Sequence, residues 1–436
     1  MIIFRKMAAW ETNLEKLLNI SQKIISLQDP IRILNSIKWR PEIYEKFSNS
    51  KFKEMPNVGP EYYESISLGF ETDQRTKDFQ ELRALIPSKI DFDPDLAELL
   101  TKTVDDYISV ISLLKNRGKK EFWNDSKILY GSPKDKFHGD RSVTELGRQL
   151  YEILGRLNGA VLGPPPPRDR NAQETVDLLR PNLENYFGKG NIIVELSDEI
   201  LADSAAGGDR LKIRTEGMFS QRLIDLLEVH EGWVHVGTTL NGLEQKVAKF
   251  LSKGPPRITA TQEGLAVLME IITFRSYPDR AKRINDRILA IDKSEDGANF
   301  LEVFEFFRVE GYPESECFHN SVRVFRGGMV EGGAPFTKDI SYCVGFINNY
   351  NFIRTAIRAG KPEIIPFLFA GKVNLDDIPL LYRKHLEGLI DAPKYIPPQF
   401  RDLSGLSVWM SFSSFLNQID LSKVQKHFDD LFKRHL

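Results

Sequence analysis

The pattern of apolar and polar positions changes character near residue 160. In "SVTELGRQLYEILGRLNG", Val143, Leu146, Leu150, Ile153, Leu154 and Leu157 recur at helical spacing. Ser142 and Glu145 match a capping box at its start, and Gly159 stands where the helix should stop. The residues before this point read as mostly helical. Four prolines, Pro164–Pro167, then exclude a helix and read as a stiff extended connector. "NAQETVDLLRPNLENYFG" predicts a helix from Asn171 that breaks or kinks at Pro181. Two β-favouring stretches follow, Ile192 to Leu196 and Leu211 to Arg214, the second after a Gly-Gly turn. Beyond Ser220, the apolar residues Leu223, Ile224, Leu226, Leu227 and Val229 occupy most sides of one helix, which describes a buried one. A loop at 252–259 leads into a further long helix, "TATQEGLAVLMEIITF". Helices, a glycine-rich loop at 327–333 and a helical C-terminal region complete the chain. Strands followed by consecutive helices favour an α+β fold over an alternating parallel one. The expected division is a helical lobe over 1–160, an α+β lobe over 161–365 and a helical region over 366–436.

At 436 residues the chain exceeds the usual size of a single core. Its net charge of -2 points to neither nucleic acid nor a strongly anionic surface as its main partner. Two cysteines, Cys317 and Cys343, are too few for a disulfide framework; both read as inert core residues in a reducing compartment. No stretch approaches the roughly 20 apolar residues a membrane helix needs, and the opening residues lack the apolar core of a signal peptide. The expectation is a cytoplasmic protein without a membrane partner, its oligomeric state left open.

The candidate chemistry lies in "LLEVHEGWVHVGTT". It resembles the zinc-hydrolase signature H-E-x-x-H with one residue too many. His230 and His235 are five apart and diverge by about 140° on a regular α-helix. Either the helix ends between them or it widens by one residue into a π-bulge, a geometry that Gly232 tolerates. Two imidazoles and a carboxylate hold zinc well, and a second carboxylate can then handle protons. Glu263 in "TQEGLA" is the candidate third ligand, 28 residues after His235. Thr259 and Gln262 also match a T-x-x-Q capping box, so Glu263 taken alone reads as a helix-start residue before it reads as a ligand, though the two roles are compatible. On spacing alone, a pair of hydrogen-bonded structural histidines stays open. His138 and His319 have no partner identifiable from sequence.

"VHEGWVHVGTTLNG", "TQEGLA" and "RVFRGG…GGAPFTKDISYCVGF" together resemble the family named for a QEGLP/QEGLA motif. Its bacterial members carry the label flavohemoglobin expression-modulating proteins, and its eukaryotic relatives are the microtubule-associated tyrosine carboxypeptidases. The resemblance spans roughly residues 140 to 360. It implies a zincin-like metallopeptidase lobe with H-E-x-x-x-H as metal signature. His230, His235 and Glu263 are then Zn2+ ligands and Glu231 the general base. The implied activity is release of a C-terminal residue, tyrosine or another aromatic, from a peptide or protein. An endopeptidase on the same site and a non-catalytic metal-binding regulator are the alternatives.

A carboxypeptidase must also bind a free carboxylate. Arg326 and Lys338 flank the glycine-rich loop and are the candidates, with loop N–H groups as further donors. That loop lacks the G-K-[ST] ending of a phosphate loop. Tyr342 is the candidate donor to the oxyanion at the scissile carbonyl. The strand near Leu211 to Arg214 is expected at a sheet edge, where an extended peptide could pair beside the metal.

Overall fold

The capping box at Ser142 forms: its hydroxyl accepts from Glu145 N, and the Glu145 carboxylate accepts from Ser142 N. The helix it starts runs Val143–Leu154 and ends at Gly155, short of Leu157. Leu150 and Ile153 are 39% and 61% exposed, so no buried stripe draws the helix further. The computed structural model describes residues 2–137, 139–157, 162, 166–198, 200 and 202–435. Gly159, Pro164, Pro165 and His138 therefore lie outside the described residues.

A second capping box, Asn171 with Glu174, starts the helix Ala172–Phe187. This helix passes through Pro181 unbroken. Proline costs the helix one hydrogen bond. Here Val176 and Leu179 before it, and Leu183 and Phe187 after it, are all buried on one core and hold both halves in place.

Two small sheets follow. In one, β1 (Arg170–Asn171) pairs antiparallel with β5 (Met218–Phe219). The other contains β2 (Ile193–Ser197), β3 (Ser204–Gly207) and β4 (Arg210–Arg214) in the order β2-β4-β3. β2 runs parallel to β4 with Val194 opposite Leu211; β3 runs antiparallel with Ser204 opposite Ile213. The expected edge is thus corrected: β4 is central, paired on both sides, and β3 is the free edge nearest the histidine motif. Leu211 and Ile213 are fully buried, which is why this apolar-alternating strand occupies the middle.

The motif helix has three parts. Ser220 caps an α-helical start, Gln221–Leu227, by accepting from Leu223 N. Glu228–Val236 is π-helical, and Gly237–Glu244 returns to α. The segment lies between two cores. Val229 and Val234 join the main cluster, which extends from Leu17 to Met410, while Leu226, Leu227 and Val236 join the smaller cluster over the sheet. A histidine-bearing helix clamped on two sides has little freedom to turn.

The QEGLA helix, Thr259–Ile272, follows a 3-10 turn at Pro256–Ile258. Its N-cap is Ile258 with no side-chain cap bond, so the T-x-x-Q box is not formed. Gln262 is buried instead, accepting from Thr238 Oγ1 (2.8 Å) and Lys372 Nζ (3.0 Å). The helix crosses a second one, Ser341–Arg358, with backbones almost touching. A Cβ on Gly264 would sit 1.9 Å from Gly345 C, and one on Gly345 would sit 1.8 Å from Ala260 O. Only glycine at both positions allows this approach. Asn349 Nδ2 fastens the crossing by donating to Thr261 O and Gly345 O.

The glycine-rich loop is committed elsewhere than expected. Gly327 N donates to Tyr63 Oη (2.7 Å), Gly328 N to Phe325 O (2.9 Å) and Gly333 N to Ser294 O (2.7 Å). These three donors are taken up within the fold, that of Gly327 by Tyr63 of the N-terminal helices, and are not available to cradle a carboxylate. The architecture is α+β and predominantly helical. Among the described residues, no helix is long and apolar enough to cross a membrane.

Candidate active site

An i→i+5 hydrogen-bond pattern brings residues five apart onto one side of a helix, as i→i+4 does for residues four apart. The bond from Gly237 N to Gly232 O is of this kind. The ring centroids of His230 and His235 consequently lie only 5.0 Å apart, at 79° to each other. Gly232 permits the widened segment to press on the Ala172–Phe187 helix, because a Cβ there would fall 2.4 Å from Leu183 Cδ2.

Glu263 meets both rings from the QEGLA helix. Its Oε2 lies 3.5 Å from His235 Nε2 and 3.8 Å from His230 Nε2. One donor atom from each of the three residues falls within 4.8 Å of the others. Burial opposes the charge on Glu263, but Lys338 and the histidines hold its carboxyl well below the ordinary range. It is anionic, as a carboxylate ligand must be. The position of Glu263 beyond the first helical turn also removes the helix-start explanation for it.

His230 is oriented from behind. Its Nδ1 lies 2.6 Å from Glu270 Oε1, which leaves Nε2 directed toward Glu263. Glu270 is fully buried and is held by Arg280 through two hydrogen bonds, Nη2 to Oε1 at 3.0 Å and Nε to Oε2 at 3.3 Å. Burial raises the Glu270 pKa, yet Arg280 and His230 bring it down to about 2. A carboxylate behind a ligating imidazole fixes its tautomer and its ring plane. The far side of the motif is held by Lys372, whose Nζ donates to His235 O (2.8 Å) and Thr238 Oγ1 (3.0 Å). This donor set, with two imidazoles, one ionised carboxylate and a buried second carboxylate behind one ring, fits a divalent ion with an open coordination position.

Glu231 is on the same π-helical segment and accepts from Ser204 Oγ of the edge strand β3 at 3.1 Å. Tyr342 opens the helix Ser341–Arg358, with its ring 6.5 Å from that of His230 and nearly parallel to it. Lys338 Nζ donates to Glu263 Oε1 at 2.8 Å and lies 5.7 Å from the Tyr342 ring. Arg326 is the C-cap of the helix Glu314–Phe325, its guanidinium 5.7 Å from the Phe336 ring. The structure thus gathers His230, His235, Glu263, Lys338 and Tyr342 closely, with Glu231 alongside and Arg326 within electrostatic reach of Tyr342. Cys317 is buried and Cys343 half-buried, and burial pushes both thiols up to about 11. His319 stacks on Tyr44.

Sequence reasoning missed Ser204, Glu270, Arg280 and Lys372. Only Glu270 carried a local signal: it follows Glu263 by seven residues, two turns along the same face. The other three meet the site through the tertiary fold. No curated protein matches this chain. The family model described as microtubule-associated tyrosine carboxypeptidase matches it over residues 45–418, and with that span covered the chain belongs to this family.

Proposed function

We propose that this protein is a zinc-dependent metallocarboxypeptidase of the H-E-x-x-x-H, QEGLA-motif type, with a zincin-like catalytic lobe over 161–365. The observation that carries the reading is the π-helical widening that turns His230 and His235 toward Glu263, in a chain from a carboxypeptidase family. His230, His235 and Glu263 would hold Zn2+, which when bound would supply Lewis acidity and a water of lowered pKa. Glu231, steadied by Ser204, takes the proton from the attacking water and delivers it to the leaving amine. The Tyr342 phenol donates to the oxygen that becomes negative at the reacting carbon. Burial and Glu263 raise its pKa, which keeps its proton in place for that role.

The substrate is a peptide or protein C-terminus lying along β3, the strand with an unpaired edge beside Glu231. Lys338 is already bonded to Glu263, so we assign it to holding that ligand's charge, and the terminal carboxylate falls to Arg326. The terminal residue released is tyrosine or another aromatic. The two cysteines are unpaired, which supports a reducing, cytoplasmic setting.

The test is metal content and cleavage measured together. Purified protein should carry about one zinc per chain, and His235→Ala should lose it. Glu231→Gln should keep the metal and lower kcat on a peptide with a free C-terminus by roughly 10²–10⁴-fold. Absence of metal in the parent protein after incubation with zinc would end the enzyme reading. Equal cleavage of C-terminally amidated peptide would turn it into an endopeptidase.

A further inference from the structure

Five cationic side chains come within electrostatic reach of the Tyr342 phenol: Arg280, Arg287, Arg323, Arg326 and Lys338. Three carboxylates face them, and each already has its own partner. Glu270 is held by Arg280, and Glu263 by Lys338. Asp339 is held by Arg323 through two bonds, Nε to Oδ2 at 2.5 Å and Nη2 to Oδ1 at 2.9 Å. Arg287 has only a longer share of Asp339, and Arg326 pairs with none of the three.

Arg287 is buried on the helix Pro278–Glu295. Its one side-chain hydrogen bond among the described residues runs from Nε to Asn320 Oδ1, 3.3 Å. The nearest carboxylate oxygen, Asp339 Oδ2, is 3.8 Å away and already taken by Arg323. Its two terminal nitrogens have no hydrogen-bond acceptor among the described residues. Arg326 has a buried Nε without any partner. Burial, with the charge of Arg323 added, lowers Arg287 to about 9 and Arg326 to about 10. The phenols nearby do not supply the missing charge, since burial raises the pKa of both Tyr342 and Tyr130.

Asp339 is thus shared between Arg323 and Arg287, and guanidinium groups drawn out of water with too little counter-charge are costly unless a ligand brings more. Lys338 bonds Glu263, and its neighbour Asp339 pairs with Arg323 and Arg287, so the arginines adjoin the metal-ligand group; a peptide residue spans only about 3.3–3.6 Å. An anion one residue beyond the reacting carbonyl therefore falls on this wall. Resting on the carboxypeptidase reading, we propose that Arg287, paired with Arg326, forms the subsite for the α-carboxylate of the substrate's last residue. Arg287 presents the planar pair of donors that a carboxylate accepts in parallel. Asn320 sets the plane of that guanidinium through its bond to Nε. Arg326 supplies the second charge. Lys338 contributes nothing directly to this subsite because Glu263 occupies it.

The experiment uses the full-length zinc-loaded Glu231→Gln protein, which binds peptide without cutting it. Calorimetry compares one hexapeptide ending in phenylalanine as free acid and as amide. The acid is expected to bind at least 100-fold more tightly, and adding Arg287→Met should reduce that ratio to within about 3-fold. Equal binding of acid and amide by Glu231→Gln itself would overturn the carboxypeptidase reading. A strong acid preference that survives Arg287→Met would overturn this subsite alone. If Arg287→Met does not fold, Arg287→Lys carries the test: it keeps charge but loses the paired donors, so the ratio must fall about 10-fold, and an unchanged ratio overturns the proposal. In the parent protein, N-acetylphenylalanine should raise Tm and N-acetylphenylalanine amide should not. Equal effects of the two would also overturn it.

Discussion

At the scale of single residues, the site depends as much on what stands behind the candidate ligands as on the ligands. Glu270 fixes the His230 ring, and Arg280 fixes Glu270. Glu270→Gln keeps the shape and removes the charge. We expect zinc affinity to fall by roughly 10–100-fold, the usual effect of losing such a support, read by competition with a chromophoric chelator. Unchanged affinity would mean that His230 is positioned by the π-helix alone. The histidines were legible because their five-residue spacing conflicts with a regular helix and so demands an explanation. Glu263 needed the family resemblance, since its own surroundings in sequence describe a helix start before they describe a ligand. Arg287 was illegible. An arginine in the amphipathic stretch "PDRAKRINDRILAIDKSE" gives no sign that it is buried with only a shared counter-ion.

At the scale of elements, two features set the geometry: the π-helical segment and the glycine–glycine crossing of two helices. The crossing fixes the distance between Glu263 and Tyr342, which lie on different helices just beside it. Gly264→Ala introduces a Cβ 1.9 Å from Gly345 C, and rigid backbone cannot yield as a side chain would. Overpacking of this kind costs about 1–3 kcal/mol. We expect a lower Tm together with a loss of zinc affinity as Glu263 is pushed away. A normal Tm with intact metal binding would show that the helices separate without disturbing the site. Strand prediction succeeded where apolar residues alternate, at Leu211 and Ile213, and failed at β3, whose "SAAG" has neither β-branched nor large apolar residues. Tertiary contact makes β3 a strand: pairing with β4 on one side and packing on the motif helix on the other. The same contact explains why the sheet edge was first assigned to the wrong strand.

At the scale of the whole molecule, the N-terminal helices share the cluster that also contains Leu265 and Leu268 of the QEGLA helix. One direct link is Asp106, on the helix Pro94–Lys115, which accepts from Arg257 N (2.8 Å) two residues before that helix starts. Burial raises the Asp106 pKa from 3.8 to about 6, with Arg257 only partly offsetting it. The folded protein therefore holds this proton more tightly than the unfolded chain does. The stability Asp106 contributes is present below about pH 4, is lost as pH rises toward 6 and stays lost above. Asp106→Asn should raise stability by on the order of 2 kcal/mol at pH 7.5 and by little at pH 4, measured by urea unfolding. An equal effect at both pH values would show that the carboxyl is already ionised throughout.

The extra residue in the histidine motif sets the phase of everything downstream. Deleting Gly232 would restore H-E-x-x-H and its regular helical spacing on paper. It would also rotate the following helix by about 100° relative to the preceding one. Thr238 would swing away from Gln262 and Lys372, and Asn241 would leave the Phe369 and Tyr395 carbonyls it now bonds. The familiar shorter signature is therefore unreachable here by one deletion. The length of the motif is locked by contacts three and six residues beyond its last histidine.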